Sequence, residues 1–147
     1  MKLALFISTA FFSTLAMANP NPLVSMTVSS GAPDYTTTVV VSDDGSVQET
    51  IGSGFSAGGS STLNLATLSP TAVSRLQYWI GVVQVDQPSV DPNPNGPSCA
   101  SEGGSSVSLL HPGSEFVISS SGGCHTRSVP GSYGVVEIMK GLMELAK

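Results

Sequence analysis

Of the 147 residues only 10% are Asp, Glu, Lys or Arg, and ten acidic against five basic side chains leave the chain at −5. That balance excludes nucleic acid as a partner, because phosphate neutralisation needs a basic surface, and it opposes adhesion to anionic lipid. So few charges suit long solvated helices poorly, whereas abundant Ser, Thr and Gly suit strands and turns.

Residues 1–18 read as a signal peptide. Lys2 supplies the positive start, Leu3 to Leu15 the short apolar run, and Ala16-Met17-Ala18 an A-x-A cleavage site. Cleavage after Ala18 is therefore expected, giving an exported chain, periplasmic or extracellular, with residues 19–147 forming a single domain. No later segment is long and apolar enough to span a membrane, so the mature chain is expected to lack a transmembrane segment.

Beyond an extended Asn19-Pro20-Asn21-Pro22 lead-in, Leu23 to Ser29 alternates in polarity as a half-buried strand does. Gly31-Ala32-Pro33-Asp34 breaks it. Tyr35 to Val41 and Val47 to Ile51 follow as strands joined by the Ser42-Asp43-Asp44-Gly45 turn, which completes a meander. A Gly/Ser loop over 52–61 holds Phe55 as its one bulky residue, and Leu63-Asn64-Leu65 extends briefly. Ser69 as N-cap and Pro70 at the first position then open a helix reaching Gln84, with Val73, Leu76, Ile80 and Val83 as its apolar stripe.

The proline-rich 86–98 stretch is an irregular connector. Ser105 to Leu110 and Ser114 to Ser120 form a hairpin about His111-Pro112-Gly113-Ser114, a type II turn pattern. In a tight hairpin, paired positions sum to about 225, and this brings Cys99 and Cys124 close together on opposite strands. One disulfide is expected from two cysteines in an exported chain. Thr126 to Val129 is a short last strand. Ser132 caps a helix over 132–146, striped by Val135, Ile138, Leu142 and Leu145. The fold class that follows is α+β: an antiparallel sheet of five to six strands, meander plus hairpin, with both helices on one face and the Ser/Thr-rich face opposite.

The strongest catalytic pattern is Gly54-Phe55-Ser56-Ala57-Gly58, a G-x-S-x-G match followed by Asp86 or Asp91 and by His111 or His125. A nucleophile elbow needs a strand entering and a helix leaving, and Gly58-Gly59-Ser60-Ser61 cannot start a helix. No catalytic residue is assigned, and a serine hydrolase using Ser56 remains the alternative, beside a structural cell-envelope protein. His125 and His111 lack the convergent ligands zinc requires, Asp43-Asp44 belong to a hairpin turn, and Asp86 to Asp91 lacks the alternating ligands and terminal Glu of a calcium loop. Neither metal nor cofactor is expected. Trp79 or Tyr78 is expected to pack at the edge of the helix stripe.

The order of elements, with Ser29-Ser30-Gly31 closing the first strand, Leu68-Ser69-Pro70 opening a helix and Leu142-Met143-Glu144-Leu145-Ala146 near the end, resembles the emfourins. These are small proteinaceous inhibitors of thermolysin-like metallopeptidases. The chain departs from them at Ser30-Gly31-Ala32-Pro33, where the family carries Ser-Gly-Gly-aromatic, and no functional residue is carried over. The resemblance implies a peptidase as protein partner. The residues themselves indicate a non-enzymatic binding protein that uses loops on a braced frame, with Phe55, Ser56, Asp91, Asn93 and Asn95 as candidate contacts.

Overall fold

The computed structural model describes residues 20–30, 35–53, 60–90, 103–122 and 125–146. Within them the chain forms β1 (Pro22–Ser29), β2 (Tyr35–Ser42), β3 (Ser46–Ser53), β4 (Ser61–Thr67), α1 (Pro70–Val82), β5 (Gly104–His111), β6 (Ser114–Gly122), β7 (Thr126–Ser128) and α2 (Tyr133–Met143), closed by a 3-10 turn at Glu144–Ala146. All seven strands join one antiparallel sheet in the order β4-β3-β2-β1-β5-β6-β7. The α+β class holds. The expected five to six strands become seven, because Leu63-Asn64-Leu65 belongs to a strand of seven residues rather than a brief extension.

Turn chemistry sets the hairpins. Gly45 adopts φ 86° and Gly113 φ 79°, the left-handed conformations that glycine takes without steric cost. Asp44 accepts the Ser46 N–H at 2.9 Å, and that bond holds its carboxyl below the usual aspartate range. Asp43 binds backward instead: its carboxylate accepts the Asn21 backbone and side-chain N–H groups, both at 3.0 Å, which ties the lead-in to the β2–β3 turn.

Strand alternation then divides the sheet. On one face a single row crosses all seven strands, from Thr62 through Thr50, Thr38, Thr27, Ser106 and Ser120 to Arg127. Neighbouring hydroxyls in it bond at 3.0 Å (Thr27–Thr38) and 3.1 Å (Thr50–Thr62). The other face bears both helices. There Val24, Val39, Val41 and Val47 pack with Leu76 of α1 and with Val135 and Met139 of α2 in one core, all fully buried. Glu49 lies on this face too, 4% exposed, between Val39 and Leu63 in the ladder.

Helix α1 begins as its sequence dictates: the Ser69 hydroxyl accepts the Ala72 N–H at 3.3 Å and Pro70 occupies the first turn. Its start is tied to the β2–β3 turn by the Leu68 N–H on the Gly45 carbonyl at 2.8 Å. Its end is tied to the other half of the molecule, where the Gln84 N–H reaches the Pro130 carbonyl at 3.1 Å. Trp79 packs on the backbone of Gly134, while Tyr78, edge-on to it at 5.3 Å, is exposed. Trp79 is thus the ring that packs.

Two expectations for α2 are corrected. Ser132 precedes the helix but makes no side-chain cap, because its backbone is already in the right-handed helical region rather than extended. The buried stripe is Val135, Met139, Leu142 and Met143, with Ile138 at its margin and Leu145 63% exposed. Leu145 misses the stripe because the α-helix ends at Met143 and the tighter final turn rotates it outward.

Candidate functional site

Helix α2 lies over β1 and β2, and beside it a strip of β5–β7 bearing Ser105, Ser119, Ser121, Thr126 and Ser128 is left as a hollow, while Leu109 and Ile118 of the same face are buried in the core. A groove of about 530 Å³ results between α2 and the sheet, and a second hollow of about 310 Å³ continues it past the end of the helix. Met26, Ser105 and Lys140 line both. The combined size falls in the range of sites that hold small molecules or short peptide segments.

The floor is built in two cross-strand rows. Met26 neighbours Val107, which faces Ser119 and then Ser128; one row on, Val28 neighbours Ser105, which faces Ser121 and then Thr126. A β-bulge produces this arrangement. The β5–β6 register shifts between Val107 and Ser108, so Ile118 and Ser119 both turn toward the helices. Beyond the bulge the phase is reversed, which sends Ser119 and Ser121 into the groove and Ser120 to the opposite face. The inward hydroxyls pair as Ser119–Ser128 at 2.9 Å and Ser121–Thr126 at 3.0 Å.

The wall is one flank of α2, with Tyr133, Val136, Glu137 and Lys140, and the Pro130-Gly131-Ser132 turn closes one end. Lys140 bonds Glu137 at 2.8 Å across one helical turn. Both are exposed, so the pair adds little stability and marks the rim with a locally neutral patch. Inside, the lining alternates aliphatic side chains with hydroxyls that each retain spare donor or acceptor capacity. Such a surface suits an uncharged, partly apolar ligand.

Among the described residues the groove hydroxyls bond to one another and to the Arg127 carbonyl rather than to an imidazole, and no three His, Cys, Asp or Glu side chains converge to hold a metal. His111 and His125 are exposed near opposite ends of β6. A strand of that length spans roughly 30 Å, so the two cannot share a site. Phe55, Ser56, Asp91, Asn93, Asn95, Cys99 and Cys124 all lie outside the described residues.

The groove residues are therefore ones that sequence reasoning passed over. The available signal was faint: serines at positions that count as inward only if a bulge is placed within Val117-Ile118-Ser119. A scan of family models finds none that matches the chain, and a search of curated proteins finds no relative.

Proposed function

We propose that this chain is an exported, non-enzymatic binding protein that takes a short, uncharged segment of a protein partner into the groove beside α2. One observation carries the reading: the groove combines apolar contacts with hydroxyls that keep hydrogen-bonding capacity, the lining a short peptide segment would use. A secreted thermolysin-like metallopeptidase is the partner favoured by the element order shared with the emfourins. The leader over residues 1–18 supports export, and the proposed Cys99–Cys124 bridge would brace the hairpin below Gly104 and Gly122, which face each other in the ladder.

Titration of the mature protein against such a peptidase tests the reading. Stoichiometric loss of peptidase activity is expected, and Val136→Lys, which sets a charge on the groove wall, should weaken inhibition at least about tenfold. Full peptidase activity at large molar excess removes the peptidase as partner. Inhibition unaffected by Val136→Lys removes the groove as the site.

A further inference from the structure

An open sheet has two edges, and here they are built differently. At one edge β7 is three residues long, carries Arg127 at its centre and is followed within two residues by Pro130. Beyond the reach of β7 the edge of β6 is occupied. The Ser89 hydroxyl accepts the Val117 N–H at 3.0 Å, and the Val90 N–H donates to the Val117 carbonyl at 3.1 Å. These are the usual protections of a sheet edge: short length, charge and cover.

The other edge has almost none of them. Strand β4, Ser61–Thr67, is seven residues long, has no strand on its outer side among the described residues, and contains neither charge nor proline. Leu63 is 56% exposed, with Ile51, 39% exposed, diagonal to it on the same face. The single blunting feature is the bulge at Leu65, where the register against β3 shifts, and Ser61 to Asn64 pair regularly ahead of it.

We propose that β4 pairs antiparallel with β4 of a second copy of this chain, about a two-fold axis that is perpendicular to the sheet and passes midway between the two Leu63 residues. The sequence of the edge is self-complementary about that axis. Leu63 meets its own symmetry mate on the helix-bearing face, and Thr62 meets Asn64 of the second copy on the polar face. Like therefore faces like in polarity, and no charge opposes another. The same operation keeps the helices of both copies on one side and joins two seven-stranded sheets into one. An interface of this type is isologous and closed, so association stops at the dimer. Only a few residues pair, and each copy carries −5 before leader removal, so the dimer is weak and tightens as salt screens the repulsion.

Sedimentation equilibrium of the mature chain from about 1 to about 500 µM tests this against the micromolar affinity that a small interface supports. The wild type should pass from monomer to dimer across that range, with the midpoint moving to lower concentration at higher salt. Leu63→Lys, at an exposed position and with folding checked by circular dichroism, should remain monomeric. Thr62→Lys alone should weaken the dimer about tenfold, by like-with-unlike pairing across the strands. Adding Asn64→Glu to it should restore dimerisation, because the axis sets the two introduced charges against each other. A wild type that stays monomeric throughout, a dimer indifferent to Leu63→Lys, or a double variant that fails to recover would each overturn the proposal. None of these outcomes touches the groove at β5–β7, whose own test is separate.

Discussion

Beneath the two helices the strands β1–β3 present Val24, Val39, Val41 and Val47 to Leu76 and Met139, and nothing of these side chains remains in water. Beside α2 the same face presents Ser119, Ser121, Thr126 and Ser128, which floor the groove along that helix. Inward residues alternate along the strands in both regions, with the bulge at Ile118 resetting the phase in β6. The difference is that aliphatic inward positions reward a helix for lying over them, whereas hydroxyls already hydrated or paired give it nothing to gain. The aliphatic part of the face is thus closed by the helices, and the hydroxyl-bearing strip beside α2 is left as a groove.

The contrast can be broken most directly by truncation. Leu76→Ala removes a fully buried side chain from the closed half and should cost about 3 kcal/mol in urea unfolding. Ser121→Ala, on the groove floor, should cost less than about 0.5 kcal/mol, since Thr126 can turn its hydroxyl to water. Comparable losses at the two sites would erase the distinction.

What holds α2 over β1 and β2 is sharpened by the next variant. A methyl group at Gly134 would collide with the Trp79 ring, so Gly134→Ala should cost about 2 kcal/mol through overpacking. Trp79 is the chain's one tryptophan, and its emission should shift to the red if the ring is displaced. An unchanged spectrum and melt would mean that the helix seat does not depend on this contact.

The helix starts differ in the same spirit. Ser69→Ala, which removes a cap bonded to Ala72, should destabilise by about 1 kcal/mol. Ser132→Ala should move the thermal midpoint far less, because that hydroxyl caps nothing. Smallest of all is the effect of Asp44, whose carboxylate is exposed. Its acidity is raised by the Ser46 N–H, so its contribution is present above the ordinary aspartate value of 3.8 and lost as pH falls through its lower folded value. The stability gap between wild type and Asp44→Ala, followed from pH 7 downward, should accordingly narrow only below about 3.8.

Much of this architecture was legible in the residues. Asp-Gly and Pro-Gly turns, the Ser69-Pro70 opening and the stripe of α1 are local signals, and each is decided within a few residues of itself. Strand β4 was underestimated because Asn64, Ala66 and the exposed Leu63 give it a weak strand signature, and its register comes from β3. The pairing of β1 with β5 has no local signal at all, since the two strands are joined by half the chain. The groove was hidden for a sharper reason. A bulge at Ile118–Ser119 inverts the inward phase of β6, so uninterrupted alternation assigns the wrong serine to the inner face.

The position of β1 also has a bearing on how the chain reaches this state. The first of the described strands is the central one, and its second neighbour runs from Gly104 to His111. Until that segment has emerged, the meander is a half-sheet with a bare flank and no α2 to cover it. High contact order of this kind slows closure of the sheet. The meander thus gains its second flank only once the residues from Gly104 onward are in place.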